Sequence, residues 1–163
     1  PYPGGKPMDQ LAQQSAGSVY TLPRAHVDGA PLDMSFSGLK TAVVNLAHNA
    51  QQKGEPLDEP ALARDFTQAV SDELTERAAL ALEQTGRTVL VAAGGVAANS
   101  IIRADLQRLC EKRGVKLYLP PLKWCGDNGA MIGAQGYYEY MSGVRGDMTL
   151  NGYATMELDN VIF

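Results

Sequence analysis

Residues 89–99 read VLVAAGGVAAN, and this stretch decides the fold class. Its apolar first half, residues 89–93, is typical of a short strand that is buried on both faces of a parallel sheet. The Gly94–Gly95 pair ends that strand, and a predicted helix follows. A second short strand is predicted after the helix, at residues 115–119. The order strand, helix, strand therefore predicts an α/β fold in which the two strands are parallel.

Apolar residues at spacings of three and four predict four helices around these strands. Flanking residues indicate where the helices begin, because Ser, Asp and Asn side chains accept hydrogen bonds from the first helical N–H groups. The predicted N-caps are Ser37, Asp58 and either Asn99 or Ser100. The helices are expected over residues 38–52, 58–83, 100–113 and 129–141.

The remaining segments are predicted to be less regular. Residues 1–33 are rich in glycine, proline and serine, with one or two helical turns near Met8. Residues 19–22 and 32–36 are predicted to form two short strands, separated by a turn at residues 26–29. The tail after Gly143 has no clear period and is predicted to be coil.

Composition limits the class of protein. The chain has 163 residues, 45% of them apolar, and a formal charge of −4, which suits one domain or one lobe of something larger. These values argue against a disordered chain, a collagen and a globally basic nucleic-acid coat. The two cysteines fit a reducing compartment better than a disulfide framework. The longest apolar run is too short to cross a bilayer, so no membrane role is predicted.

Charge is unevenly distributed along the chain. Residues 55–83 carry eight acidic side chains against two basic ones, whereas residues 103–123 carry six basic against two acidic. Two interpretations remain open. Either the basic segment meets a polyanion, or both segments are ordinary solvated helix faces.

Two segments are candidate functional sites. A ligand can approach the Gly94–Gly95 backbone closely because glycine has no Cβ, and the next helix N-terminus adds N–H groups and partial positive charge. This suits a nucleotide, although the segment is neither a P-loop nor a dinucleotide fingerprint and could be only a tight turn. The Asp127 carboxylate is either a helix cap or a hard metal ligand whose partner ligands come from elsewhere.

Weaker signals surround these two segments. Gly5 with Asp9 could form a turn that carries a carboxylate suited to sugar hydroxyls, or simply a turn. His26 and His48 do not have the spacing of metal ligands. No serine or cysteine has the neighbours of an activated nucleophile.

Three segments in order carry a family resemblance: FSGLKT at residues 36–41, GGVAAN at 94–99 and CGDNGAMI at 125–132. With YPGG at residues 2–5, they resemble the second half of the TsaD family, the tRNA N6-adenosine threonylcarbamoyltransferases once described as O-sialoglycoprotein endopeptidases. The resemblance implies a helix-rich, partial C-terminal lobe of an actin-like (ASKHA, ribonuclease H-like) ATPase fold with a small parallel sheet. That partial lobe would cover residues 1–145, and residues 146–163 would form a coil tail.

The resemblance also implies an activity. Family members move threonylcarbamoyl from threonylcarbamoyl-AMP to N6 of adenosine 37 in tRNAs reading ANN codons, while a metal, usually iron, activates that group. By resemblance, Gly5, Asp9 and Asn99 contact the adenylate, and Asp127 is a ligand of Fe²⁺ or another divalent metal. The implied partners are tRNA, a paralogous actin-like subunit and a small ATPase, and the implied location is the cytoplasm.

Two family motifs are absent from this sequence. They are the His-x-x-x-His pair that supplies the other metal ligands and the Gly-Gly-His-Thr loop that faces the phosphates. Both precede Pro1 in full-length relatives, so we expect the chain alone to lack transferase activity and to bind metal poorly. The rival interpretations are a non-catalytic assembly module, a metalloprotease (although no His-Glu-x-x-His helix is present) and another actin-like ATPase such as a sugar kinase.

Overall fold

The computed structural model describes residues 3–24, 27, 29–152 and 154–155. Five α-helices and two β-strands form in this part of the chain. They are α1 (Gly5–Ala12), α2 (Ser37–Lys53), α3 (Glu59–Thr85), β1 (Val89–Val91), α4 (Ser100–Arg113), β2 (Lys116–Tyr118) and α5 (Gly129–Met141). The chain divides into two compact units, Pro1–Gly126 and Asp127–Phe163, so that α5 lies in the second unit.

The two strands form a small parallel sheet. Val89 of β1 lies opposite Lys116 of β2, and Val91 lies opposite Tyr118. Helix α4 connects the strands, and short 3₁₀ turns at Gly95–Ala98 and Leu122–Trp124 follow them. The predicted α/β order and the parallel orientation are therefore confirmed.

Burial of β1 differs from the prediction. The strand was expected to be buried on both faces, yet Val89 is 47% and Val91 67% exposed. Leu90 and Leu117, whose side chains point to the other face, are half-buried. A parallel strand is buried on both faces only when helices cover both. Helix α4 packs mainly against β2 and the 3₁₀ turn that follows β1.

The two short strands predicted in the first segment do not form; residues 19–22 and 32–36 contain no strand. Instead, the N–H groups of Val19 and Tyr20 donate to Oδ2 of Asp65 at 2.9 and 2.7 Å. A buried side chain on α3 thus takes the backbone donors that a neighbouring strand would have taken. The predicted turn at residues 26–29 includes His26 and Asp28, which lie outside the described residues.

The helix starts agree with the predictions except at α2. Oδ1 of Asp58 accepts from the Ala61 N–H at 2.9 Å, which confirms the predicted cap of α3. Ser37, however, is the first helical residue of α2 rather than its N-cap. The Phe36 carbonyl already accepts a helical hydrogen bond from the N–H of Lys40, so the helix begins one residue earlier than expected.

Helix α3 is the centre of the first unit and packs against α1, α2 and α4. The buried apolar side chains are small or medium in size. They are Ala12, Leu39, Ala50, Ala61, Leu62, Ala63, Leu82, Ala97, Ile102, Leu106, Cys110 and Cys125. Within the described residues, no helix combines the length and apolarity needed to span a membrane. Residues 146–152 contain neither helix nor strand.

Candidate functional site

The connection from β1 to α4 exposes a glycine backbone. Gly94 has φ 90° and ψ 173°, a region that is essentially restricted to glycine. A Cβ built on Gly94 or Gly95 would meet no atom within 4 Å. Among the described residues, the N–H groups of Gly95 and Val96 have no hydrogen-bond acceptor. A ligand can therefore reach this backbone directly.

Helix α4 begins with its first N–H groups already bonded within the chain. Oδ1 of Asn99 accepts from the N–H groups of Ile101 and Ile102 at 3.0 and 3.1 Å. Oδ1 of Asp9 accepts from the Ser100 N–H at 3.2 Å. The prediction that this helix start offers N–H groups to a ligand is therefore wrong, because an amide and a carboxylate of the chain occupy it. Of the two predicted caps, Asn99 and Ser100, Asn99 is the cap and Ser100 is the first helical residue.

The same hydrogen bonds bring two of the predicted substrate-binding residues together. Oδ1 of Asp9 also accepts from the Ser100 hydroxyl at 2.7 Å, which holds Asp9 next to Asn99. Gln13 completes the cluster by donating to the Ser100 hydroxyl at 3.2 Å. Gly5, the third predicted residue, lies four positions before Asp9 and therefore on the same side of α1.

Two polar atoms of this cluster make a weak hydrogen bond or none within the described part of the chain. Oδ2 of Asp9 has one long contact, 3.5 Å from Nε2 of Gln13. Nδ2 of Asn99 has no hydrogen bond to any described residue, since only its Oδ1 caps α4. An acceptor and a donor therefore remain for a polar ligand beside the exposed glycine backbone.

Asp127 precedes α5 but does not cap it. Oδ1 of Asn128 accepts from the Met131 N–H at 3.1 Å and is the cap. The Asp127 side chain is exposed, and in the described part of the chain it has neither hydrogen bond nor ion pair. No group of three or more His, Cys, Asp and Glu residues close enough to hold a metal exists among the described residues. Asp127 can thus supply one metal ligand but not a site.

Arg103 is a residue that the sequence interpretation missed. Its guanidinium donates through Nη1 to the Ala97 carbonyl at 2.8 Å and through Nη2 to the Pro120 carbonyl at 3.1 Å. The sequence does contain one indication of this role. A cation in the first turn of a helix is disfavoured by the positive end of the helix dipole. An arginine at that position therefore indicates a compensating interaction.

The FSGLKT segment lies at the start of α2. Its Leu39 is buried, and its Lys40 lines an apolar groove of about 490 Å³ between α1, α2 and α3. The other lining residues include Met8, Val43 and Phe66. No residue of the 94–99 segment lines this groove, so FSGLKT and GGVAAN do not share it.

The basic segment is largely engaged within the chain. Arg108 pairs with Asp105 on α4, and Nη1 of Arg113 lies 3.7 Å from Oε2 of Glu83 on the acidic helix α3. Lys116 lies over the ring of Tyr118. These contacts favour ordinary solvated helix faces over a dedicated polyanion surface.

Comparison with known proteins identifies the family. The model of the TsaD family, tRNA N6-adenosine threonylcarbamoyltransferase, matches residues 1–134. The chain is 44% identical over 158 residues to the protein of that name from Staphylococcus saprophyticus, which covers 97% of this chain and 46% of the relative. It is 45% identical over 159 residues to the one from Ligilactobacillus salivarius, with the same two coverages. The chain spans about half the length of the curated relatives it matches. It belongs to the TsaD family of tRNA N6-adenosine threonylcarbamoyltransferases.

Proposed function

We propose that the whole protein transfers threonylcarbamoyl from threonylcarbamoyl-AMP to N6 of adenosine 37 in tRNAs reading ANN codons. This chain would supply the adenylate-binding surface of a C-terminal, actin-like lobe. Family membership supports the reaction. The observation that carries the site is the exposed Gly94–Gly95 backbone, which leads into Asn99 with Asp9 held beside it.

Each residue has a specific role in this proposal. The adenosine lies against the glycine backbone, where no Cβ prevents close contact. Nδ2 of Asn99 donates to it, and Oδ2 of Asp9 accepts from a ribose hydroxyl. Gly5 contacts the same adenylate from the start of α1. AMP leaves when the tRNA amine attacks the carbonyl carbon and the bond to the phosphate oxygen breaks, so these residues act by holding the leaving group in position.

We expect AMP to bind the chain and Gly95→Leu to weaken that binding by about tenfold or more. The leucine side chain would occupy the space that the adenosine needs, while the fold tolerates it because that space is open. An NMR titration with AMP, followed at the amides of Gly95, Val96 and Asn99, measures the effect. Gly133→Leu on α5 is the matched control, because a Cβ there also meets nothing within 4 Å. Equal AMP affinity of the two variants would contradict the proposed site.

We also propose that Asp127 contributes one carboxylate to a divalent metal such as Fe²⁺ in the whole protein. A carboxylate suits such an ion, but the described residues alone do not fit a metal site, because no cluster of three ligands is present among them. The remaining ligands of the metal would come from outside this chain.

Isothermal titration of the chain with Fe²⁺ or Zn²⁺ is expected to show binding weaker than micromolar, since a single exposed carboxylate supplies little affinity. Asp127→Asn should leave the titration unchanged. Micromolar or tighter binding that this substitution abolishes would show that the chain holds a complete site. The same chain is expected to transfer no threonylcarbamoyl to tRNA.

The proposed partners are tRNA, a paralogous actin-like subunit and a small ATPase, in the cytoplasm. The two cysteines, Cys110 and Cys125, support a reducing compartment because both are unpaired and buried.

An assembly module without catalysis is the second candidate function. It is favoured by α5, which contains no buried residue and leaves Ile132 76% exposed. The AMP titration separates the two candidates, since a module that serves only assembly binds no nucleotide.

A further inference from the structure

Arg103 joins the two connections that leave the carboxyl ends of the strands. The first connection, after β1, contains the exposed glycine pair and the 3₁₀ turn that includes Ala97. The second, after β2, begins at Leu119 and Pro120. One guanidinium donates to the Ala97 carbonyl at 2.8 Å and to the Pro120 carbonyl at 3.1 Å. It forms no ion pair with a carboxylate in the described part of the chain, so these carbonyls are its main partners.

No backbone hydrogen bond could replace this bridge. The last one between the strands runs from the Ala92 N–H to the Tyr118 carbonyl at 3.1 Å. Two residues later Pro120 has no N–H and cannot extend the sheet. After Ala92, each backbone hydrogen bond in either connection joins two residues of that same connection, as far as the structure describes them. The Arg103 side chain is therefore the direct polar link between the two connections.

The second connection is fixed further by Cys125. Its thiol is buried and lies 3.7 Å from Nη1 of Arg103, and the Cys125 N–H donates to the Leu122 carbonyl at 3.2 Å. Cys125 stands two positions before Asp127 in the sequence. The guanidinium thus contacts the turn after the glycine pair and the segment that leads to Asp127.

We propose that Arg103 is a positioning residue for adenylate binding: it sets the geometry of the Gly94–Asn99 backbone by tying it to the connection after β2. This inference rests on the proposed function. Arginine suits the task because its planar fork donates in fixed directions to two acceptors, whereas a lysine ammonium is a single point charge. Arg103 need not touch the nucleotide, because it acts through the Ala97 carbonyl.

The test compares Arg103→Lys with Arg113→Lys in the full chain. Arg113 is on the same helix, but its contact is an exposed ion pair with Glu83. AMP affinity of Arg103→Lys is expected to fall about tenfold, the equivalent of one hydrogen bond from a charged donor, while Arg113→Lys stays within about twofold. Hydrogen exchange of the ligand-free protein should quicken at the N–H groups of Ala97, Asn99 and Cys125 in Arg103→Lys alone.

Chemical rescue separates positioning from general stability. Methylguanidinium should restore AMP binding to Arg103→Ala, whereas methylammonium at the same concentration should not. If Arg103→Ala does not fold, the AMP affinities of Arg103→Lys and Arg113→Lys test the inference without it. Absence of AMP binding by the unsubstituted chain would overturn both the proposed function and this inference. Normal AMP binding by Arg103→Lys, or no rescue of a folded Arg103→Ala, would overturn only the inference.

Discussion

Asp65→Ala is expected to lower the free energy of unfolding by about 3 kcal/mol, because two backbone donors lose a charged acceptor. Asp65 is 7% exposed, and its Oδ2 accepts from the N–H groups of both Val19 and Tyr20. Without it, the segment that follows α1 loses these two buried hydrogen bonds to α3 and keeps the exposed ion pairs of Arg24 with Asp72 and Glu76. Urea denaturation of the full chain measures the difference.

Two variants separate charge from geometry at this position. Asp65→Asn keeps an oxygen that can accept both hydrogen bonds but has no charge, so a loss of about 1 kcal/mol is expected. Glu83→Ala, on the same helix, removes a carboxylate that is 69% exposed and is expected to cost less than about 1 kcal/mol. If Asp65→Ala and Glu83→Ala lowered the free energy of unfolding equally, the hydrogen bonds from Val19 and Tyr20 to Asp65 would not be stabilising.

The contribution of Asp65 depends on pH in a defined direction. Burial acts to raise the pKa of Asp65, but the hydrogen bonds from residues 18–20 and the charge of Arg64 outweigh it, so the pKa is lowered. Stability from this group is therefore fully present above the ordinary aspartate pKa of about 3.9 and is lost as the pH falls through the lower folded value. The difference in urea midpoint between the unsubstituted chain and Asp65→Asn should shrink in that acid range.

Features set by neighbouring residues could be predicted from the sequence. The cap at Asp58, the α4 cap to within one residue and the bounds of α5 follow from signals within a few positions. The parallel strands follow from the order strand, helix, strand. The attachment at Asp65 could not be predicted, because its donors lie 45 and 46 positions away. A carboxylate amid an apolar pattern on a helix gives no indication of which distant N–H groups it will accept.

The candidate site shows the same division. The glycine pair and Asn99 could be identified locally, but the hydrogen bond that brings Asp9 to Ser100 spans 91 positions. Local reasoning also left Asp127 open between a cap and a metal ligand, and the neighbouring Asn128 proved to be the cap. The position of Arg103 in the first turn of α4 is visible in the sequence, but its partners are not, because they are backbone carbonyls.

Asp105→Ala is expected to cost about 3 kcal/mol and to weaken the packing of α4 on α3. Oδ2 of Asp105 accepts from the Ser71 hydroxyl at 2.5 Å and from Nε2 of Gln68 at 2.9 Å, and Ser71 is fully buried. Removing the carboxylate leaves that hydroxyl without its charged acceptor and out of reach of water. Glu111→Ala, an exposed carboxylate on the same helix, is the control and should change stability by less than about 0.5 kcal/mol.

A double-mutant cycle isolates the pair that carries this effect. Ser71→Ala alone should cost about 1 kcal/mol, because Asp105 keeps Gln68 and Arg108 as partners. The double variant Ser71→Ala/Asp105→Ala should be less destabilised than the sum of the two single variants, by about 1 to 2 kcal/mol, since no buried hydroxyl is then left unpaired. If the losses in free energy of unfolding, measured by urea denaturation, were simply additive, the Ser71–Asp105 hydrogen bond would not couple α3 to α4.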